Sequence, residues 1–266
     1  MTDPDIELTI QKNEFLSECF KRDIYILDIF ENTANAVDYT QSHIQICEML
    51  TSLAEYPYLI CKQDLRSLPV IHGLESNGFR LMSVDTELKL AASNKQQLNS
   101  NLDRDISVKS FGKEDQSLLT DLLIRNEVFY RGTHFYNTPF LRNDDCDALY
   151  KKWIERNLAG RTNENYIAVS DSRIVGFALC SKRNDQLDID LLWVDETERR
   201  RGIAGLMMQQ VIPDNEVLEI TVSTQVTNYA ALSLYTKLGF KCVATYGAFH
   251  KCLEAGNCAI TSGGDK

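Results

Sequence analysis

The sequence lacks the patterns that mark several classes of protein. Its eight cysteines include no Cys-x-x-Cys pair and its four histidines are scattered, so the spacing predicts no metal site. No apolar run approaches the roughly 18 residues that a membrane-spanning helix needs. The acidic start, 1–7, has no apolar stretch typical of a signal peptide. We therefore expect a cytoplasmic protein with reduced thiols that does not bind membranes.

Positive charge is scarce. The chain of 266 residues has 28 Lys and Arg against 38 Asp and Glu, a formal net charge of −10 at pH 7. This balance argues against general binding to nucleic acid. An acidic protein can still bind an anion where its cations are concentrated, and 199–201 is such a place.

The polar stretch 91–103 lacks periodicity, so we interpret it as a linker. It predicts a small N-terminal α/β domain with linker over 1–103, a larger domain over 104–254 and a flexible tail over 255–266. Strands are predicted near 23–29 and 58–61 and helices near 40–53 and 65–76 in the first domain. In the second, the patterns predict a strand at 106–111, a helix opening at 113–115, a helix at 144–158, a hairpin at 166–180, and strands at 187–194, at 217–223 and after 240.

A strand, an acidic turn and a helix start follow one another in 191–208. Small residues occur where the chain would enter the helix, at Gly202, Ala204 and Gly205. They let an anion approach the first free N–H groups of the helix. Arginine runs are usually solvated surface, but beside this turn Arg199, Arg200 and Arg201 indicate a diphosphate site.

A second motif lies about 25 residues downstream, Asn228-x-x-Ala231-x-x-Leu234-Tyr235-x-x-x-Gly239-Phe240. The two segments together resemble motifs A and B of the GNAT superfamily of acyl-CoA N-acyltransferases. The resemblance implies an α/β (α+β) fold, with a central mixed, mostly antiparallel sheet flanked by helices. It also implies acyl-CoA as co-substrate, without a metal. The implied cofactor-binding residues are Leu192, Trp193, Val194, Arg199, Arg200, Arg201, Gly202, Ile203, Ala204, Gly205 and Asn228.

The resemblance implies that Tyr235 is the catalytic general acid. In the family this tyrosine protonates the leaving thiolate, and a phenol with a pKa near 10 suits a thiolate of similar pKa. The alternative is a packed core tyrosine. A backbone N–H at 192–194 would polarise the acyl carbonyl, and Asn228 is also a good N-cap residue for the helix that follows.

The sequence shows no evident general base. Candidates are His134, Glu127, Asp188 and Asp190, and deprotonation through water is an alternative. We expect direct attack in a ternary complex without a covalent intermediate. Cys146 and Cys180 have no nucleophile motif around them.

A second, closer resemblance indicates which acceptor amine the protein uses. The segments 135–136, 149–157 and 222–232 are similar to those of the dTDP-fucosamine (dTDP-4-amino-4,6-dideoxygalactose) acetyltransferase family. This implies a dTDP-linked 3-amino or 4-amino dideoxy sugar as partner, used in surface polysaccharide (O-antigen or lipopolysaccharide) biosynthesis, with an acetyl or short hydroxyacyl donor. The loop residues His134, Phe135, Tyr136 and Arg142 are candidate substrate contacts, or else a folded aromatic loop. The motif segments 199–205 and 238–240 follow the general superfamily, which leaves the sugar and the acyl chain open.

Alternatives remain in other classes. One is a GNAT enzyme that acetylates a protein or a small amine, whose acceptor groove would be acidic. Another is a non-catalytic acyl-CoA-binding module. A homodimer is the commonest assembly. Finally, 74–79 echoes 234–240, which predicts either a degenerate half-copy of the GNAT unit in the N-terminal domain or a common helix C-cap.

Overall fold

The computed structural model of the protein describes residues 6–31, 39–51, 53, 56–91, 105–117, 122, 131–214 and 217–253. The chain divides into two compact units. Unit 1 comprises Met1–Asp85, Tyr130–Leu149 and Thr245–Lys266, and unit 2 comprises Thr86–Phe129 and Tyr150–Ala244. This division differs from the predicted boundaries at 103 and 254, because both units draw on separate segments of the chain. The predicted linker beyond residue 91 (up to residue 103) and the predicted tail (255–266) lie outside the described residues.

Unit 1 is an α/β structure. Its elements are β1 (Ile6–Lys12), α1 (Glu14–Phe20), β2 (Tyr25–Glu31), α2 (Tyr39–Thr51), β3 (Tyr58–Asp64), α3 (Leu68–Ser76), the first part of β4 (Arg80–Ala91), α4 (His134–Asn137), the first part of α5 (Asn143–Arg156) and the last part of β10 (Lys241–Cys252). The predicted strands and helices of the N-terminal region are confirmed with shifts of a few residues at their ends.

The sheet of unit 1 has the order β1-β2-β3-β10. β1 and β2 are antiparallel, β2 and β3 are parallel, and β10 is antiparallel to β3. Apolar residues of α2, α3 and one face of this sheet form a buried core that includes Ile46, Leu59, Leu74 and Phe249. The opposite face of β3 and β10 carries Tyr58 and His250.

Unit 2 contains the remaining elements. They are the last part of β4, β5 (Ile106–Ser110), the last part of α5, β6 (Glu164–Ser170), β7 (Arg173–Arg183), β8 (Gln186–Val194), α6 (Ile203–Asp214), β9 (Glu219–Gln225), α7 (Tyr229–Lys237) and the first part of β10. Short 3₁₀ turns occur at Lys113–Asp115 and Glu196–Glu198, and a π turn follows α5 at Asn157–Arg161. Most of the helix predicted to open at 113–115 lies outside the described residues.

The sheet of unit 2 has the order β4-β9-β8-β7-β6-β5. β5 to β8 pair with one another antiparallel, and β8 pairs with β9 in parallel. One face of the sheet packs on α6 and α7 through residues such as Ile189, Met208 and Leu238. The other face packs on α5 through Ile154 and Phe177. A mixed, mostly antiparallel sheet between helices confirms the predicted fold class.

The predicted hairpin at 166–180 is present, and the helix C-cap that the sequence offered as one alternative is also observed. The hairpin between β6 and β7 turns at Asp171 and Ser172, both with positive φ (47° and 60°), as a tight two-residue hairpin requires. α3 and α7 end alike: Phe79 N–H donates to the Leu74 carbonyl and Phe240 N–H to the Tyr235 carbonyl, each at 3.0 Å. The intervening Gly78 and Gly239 have φ of 81° and 93°.

The echo between the two regions extends beyond this cap. β1-α1-β2-α2-β3-α3-β4 and β7-β8-α6-β9-α7-β10 have the same order of elements except for α1, which has no counterpart between β7 and β8. In each series the first two strands pair antiparallel, and the second and third pair in parallel across a helix. The N-terminal region as a degenerate half-copy of the GNAT unit stays a prediction. The shared strand pairing supports it in addition to the shared C-caps of α3 and α7.

Candidate active site

β8 and β9 of unit 2 separate part-way along their length. Their parallel pairing runs from Gln186 with Glu219 to Ile189 with Val222 and ends there. β8 continues to Val194 and β9 to Gln225, so both strands extend beyond the last pair. Over that extension β8 pairs with β7 alone, as in the pairs Leu192–Ala178 and Val194–Gly176. Among the residues that the structure describes, no strand pairs with the other backbone edge of this extension. Polarisation of the acyl carbonyl by 192–194 stays a prediction.

The start of this opening coincides with a β-bulge. Ile189 pairs with Cys180 and Leu191 pairs with Leu179, so Asp190 has no partner on β7. A bulge turns the strand locally and re-aims its side chains and N–H groups. Ile189, the last residue of β8 that pairs with both β7 and β9, therefore directly precedes the bulge residue Asp190.

The turn after β8, predicted to bind a diphosphate, has a side-chain cap and two residues with positive φ. Asp195 caps it by accepting hydrogen bonds from the Thr197 N–H at 2.9 Å and its hydroxyl at 2.7 Å. Arg200 and Gly202 both have positive φ, 68° and 79°. A Cβ on Gly202 would contact nothing within 4 Å, so the glycine is there for its backbone conformation.

The N-terminus of α6 follows directly. The first bond of this helix runs from the Leu206 N–H to the Gly202 carbonyl at 3.0 Å. The N–H groups of Ile203, Ala204 and Gly205 therefore precede the intrahelical ladder and are placed to bind an anion. The motif predicted from the sequence lies at a real helix start.

The charge of this turn is more balanced than the arginine run suggests. Arg201 forms an ion pair with Glu198, and Arg173 binds the same carboxylate at 3.0 Å. Arg199 lies 3.8 Å from Glu196 and its Nε donates to the Val194 carbonyl. Arg200 is exposed and forms no ion pair with any described residue. Two of the three arginines of this turn are therefore paired with neighbouring carboxylates.

Tyr235 lies on α7 in the core between the sheet and its helices. It is 3% exposed, and its ring centroid is 5.3 Å from that of Phe240. Burial, with a smaller contribution from the nearby Cys180 thiol, raises the pKa of Tyr235 above its usual value. The phenol therefore stays protonated at neutral pH, which a proton donor requires. Its role as the acid stays a prediction.

Asn228 caps α7 as predicted. Its side-chain oxygen accepts from the Ala231 N–H at 3.3 Å, and its amide donates to the Thr224 hydroxyl at 3.2 Å. The cap is a structural role that the structure shows directly, and contact with the cofactor remains a prediction beside it.

The predicted acceptor residues belong to unit 1. Phe135 is 5% exposed and packs on Phe20 with ring centroids 5.7 Å apart. The Tyr136 hydroxyl donates to Asp147 at 2.6 Å. Arg142 is exposed and pairs with Asp144 at 3.1 Å. These contacts describe a folded aromatic loop, and substrate contact at these residues stays a prediction.

His134 is half-buried and forms a hydrogen-bonded chain with the fully buried His250 and Tyr58 of unit 1. Its Nδ1 lies 2.7 Å from Nε2 of His250, whose Nδ1 lies 2.8 Å from the Tyr58 hydroxyl. Burial lowers the pKa of His134 to about 4 and that of His250 well below its usual value. The partner His250 could not be found from sequence, because 116 residues separate it from His134.

Two polar contacts on β8 were also missed. The Thr221 hydroxyl bonds to Asp188, and the Ser181 hydroxyl donates to Asp190 at 2.5 Å. Both contacts depend on the register between neighbouring strands, which the sequence does not reveal. The only sequence signal is the alternation of apolar and acidic residues along β8, which places Asp188 and Asp190 away from the apolar positions. Among the described residues, no group of three His, Cys, Asp or Glu side chains could hold a metal ion.

Comparison with known proteins places this geometry in a family. The model of the acetyltransferase (GNAT) family matches residues 129–240. N-alpha-acetyltransferase 30 of Schizosaccharomyces pombe is 30% identical over 105 residues, which are 36% of this chain and 70% of that protein. The chain belongs to the acetyltransferase (GNAT) family. It is accordingly an enzyme of a family that uses acyl-CoA.

Two further proteins are similar to this GNAT protein. A GCN5-related N-acetyltransferase from Sphaerobacter thermophilus has a similar fold, with a TM-score of 0.64 and 15% identity over 93% of this chain and 76% of that one. The spore coat polysaccharide biosynthesis protein SpsD of Bacillus subtilis is 26% identical over 121 residues, 44% of this chain. The GNAT protein spans only 42% of the length of SpsD. No described helix is long and apolar enough to cross a membrane.

Proposed function

We propose that this GNAT protein transfers an acetyl or short hydroxyacyl group from acyl-CoA to the amino group of a dTDP-linked amino-dideoxy sugar, at C-3 or C-4. The observation that carries the acyl transfer is the opening between β8 and β9. The opening begins after Ile189, which belongs to the same buried core as Tyr235, and extends to the turn before α6 that is proposed to bind the diphosphate. The reaction would serve surface polysaccharide biosynthesis in the cytoplasm.

The proposed roles follow the elements. The N–H groups of Ile203, Ala204 and Gly205, with the preceding turn, bind the diphosphate of coenzyme A. The open backbone edge of 192–194 donates a hydrogen bond to the thioester carbonyl and stabilises the oxyanion that forms during attack. The Tyr235 hydroxyl then protonates the leaving thiolate.

Support for a sugar acceptor comes from two sources. SpsD, a polysaccharide biosynthesis protein by its name, is similar over 121 residues. The string Thr224-Gln-x-x-Asn228-x-Ala230-Ala231 resembles that of the dTDP-fucosamine acetyltransferase family. The sugar and the acyl chain are the finer parts of the proposal, and a homodimer is the expected assembly.

The test is a thiol-release assay. Acetyl-CoA and 3-hydroxybutyryl-CoA are each offered with dTDP-linked 3-amino and 4-amino dideoxyhexoses, and with the same sugars lacking dTDP. We expect turnover with one donor and one dTDP-sugar, reduced at least tenfold without the nucleotide. Bound coenzyme A with no turnover of any sugar would contradict the proposal.

A second candidate is acetylation of protein N-termini. It is favoured by the 30% identity to N-alpha-acetyltransferase 30. The same assay with short peptides bearing free N-termini separates the two, because the first proposal predicts no turnover of peptides. Turnover of a peptide in place of the sugars would establish the second candidate.

A further inference from the structure

Asp190 lies where the sheet of unit 2 opens. It directly follows Ile189, the last β8 residue that pairs with β9, and it is the bulge residue that β7 leaves unpaired. Asp190 is therefore paired with neither of the two neighbouring strands, β7 and β9. A side chain here borders the opening in which the thioester is proposed to lie.

The Asp190 carboxylate is held in a defined orientation. Its Oδ2 accepts the Ser181 hydroxyl at 2.5 Å, and its Oδ1 lies 3.9 Å from an Arg161 Nη2. That distance is too long for a hydrogen bond, so Oδ1 keeps an acceptor position without a hydrogen-bond donor among the described residues. The side chain is 15% exposed, which leaves it accessible to a bound amine.

Asp190 lies on the face of the sheet opposite to Tyr235. Cys180 of β7 belongs to the core beneath α6 and α7 together with Tyr235, whereas Leu179 belongs to the core beneath α5. Ser181 follows Cys180 and so points, like Leu179, towards the α5 side. Its hydrogen bond to Asp190 places the carboxylate on that side too.

Cys180 lies close to both Asp190 and Tyr235. It pairs with Ile189, the residue before Asp190. Burial raises the pKa of its thiol, and the Asp190 charge raises it further, while the Cys180 thiol in turn raises the pKa of Tyr235. The Asp190 carboxylate thus lies on the face of β8 opposite to the core that contains Ile189, Cys180 and Tyr235.

The other base candidates fit this position less well. Asp188 lies within the paired part of β8 and is bonded to Thr221. His134 belongs to unit 1, where its Nδ1 is bonded to His250. Glu127 lies outside the described residues.

We propose that Asp190 is a catalytic residue that binds the acceptor amine and takes its proton. This inference rests on the proposed function and adds the residue that activates its nucleophile. The bound R–NH₃⁺ gives a proton to Asp190 Oδ1, and the nitrogen lone pair then forms the C–N bond. The C–S bond breaks with its electron pair going to sulfur, which takes the Tyr235 proton. Loss of the second N–H proton to solvent yields the amide, and solvent exchange returns Asp190 and Tyr235 to their starting states.

The test compares Asp190→Asn with the wild-type protein across pH 6 to 10, with the acceptor that the wild type turns over. Asparagine can still accept the Ser181 hydrogen bond, so the bulge is preserved. We expect kcat/KM to fall about 100-fold or more at pH 7. The loss should shrink to less than about tenfold once the pH exceeds the pKa of the amine, because solvent then supplies the neutral amine.

Asp188→Asn is the matched control. It removes a neighbouring charge on β8 and should change kcat/KM less than about threefold. Both variants should bind coenzyme A as the wild type does. A loss in Asp190→Asn that is equal at all pH values, or smaller than threefold at pH 7, would overturn the assignment. If the wild type itself acylates no amine, the proposed function fails and this inference fails with it.

Discussion

His134 and His250 share one hydrogen bond of 2.7 Å between Nδ1 and Nε2, although 116 residues separate them in the sequence. One ring must donate and the other accept, so both imidazoles can be neutral but cannot both be protonated without breaking the bond. Tyr58 continues the chain from His250 and approaches the Thr138 hydroxyl at 3.3 Å. The pair is thus a point at which unit 1 is sensitive to protons.

Acid should destabilise unit 1 through this pair. The pKa of His134 is about 4 in the folded protein against 6.5 when unperturbed, and that of His250 is also lowered. Between these values the unfolded chain binds more protons, so stability is full above about pH 6.5 and is lost as the pH falls towards 4. Thermal unfolding measured from pH 8 to pH 4 should show the midpoint falling within this window.

A double variant and a control identify the source of that fall. His134→Gln with His250→Gln should flatten the fall between pH 6.5 and 4. His72→Gln, which changes an exposed histidine of α3, should leave it unchanged. An equally steep fall in the double variant would show that carboxylates elsewhere cause the acid sensitivity.

Gly202→Ala should weaken binding of coenzyme A about tenfold. The φ of 79° at Gly202 costs an alanine roughly 1–2 kcal/mol, so the turn relaxes and must be re-formed on binding. Isothermal titration measures the affinity. Gly78→Ala is a matched control in unit 1, because Gly78 has φ of 81° and equally open surroundings. Equal affinities for Gly202→Ala and the wild type would disprove a role of this turn in binding.

Tyr235→Phe should lower kcat about 100-fold or more while leaving the affinity for coenzyme A unchanged, since only the proton donor is removed. The raised pKa of Tyr235 also predicts no loss of wild-type kcat from its ionisation up to pH 10. Steady-state kinetics over pH measures both. Tyr166→Phe, in the same buried core, should keep kcat within a few-fold. If both variants keep full kcat, another group is the acid.

Asn228→Ala should cost about 1 kcal/mol of unfolding free energy, because the cap of α7 loses its acceptor for the Ala231 N–H. Asn228→Ser should keep most of that stability. Urea denaturation measures it, and titration with coenzyme A follows in both variants. A drop in affinity shared by the serine variant would indicate contact with the cofactor. A stability loss without any change in affinity would restrict Asn228 to the cap.

Much of unit 2 follows from local sequence. The glycine and arginines of 199–205 predict a helix start after a strand, and Asn228 predicts the start of α7, because caps and turns depend on adjacent residues. The bulge at Asp190 and its bond to Ser181 were beyond prediction, since both depend on the register between β7 and β8. The charge pairing of Arg173 with Glu198 was hidden for the same reason, as 25 residues separate them.

Unit boundaries were the hardest feature to anticipate. A polar stretch predicts a linker, but the division into units depends on which strands pair, and β10 pairs with β3 although β4 to β9 lie between them in the sequence. Only the similarity of 74–79 to 234–240 hinted that the two regions are built alike.

The division of β10 has a consequence for synthesis on the ribosome. β3 is complete once residue 64 has been made, yet its antiparallel partner, Tyr246–Cys252, is among the last described residues to be made. Until then one edge of β3 has unpaired N–H and C=O groups, which are prone to pairing with other chains. Unit 1 is therefore completed only after β10 has been made, and a chain that stops before Tyr246 would lack that strand.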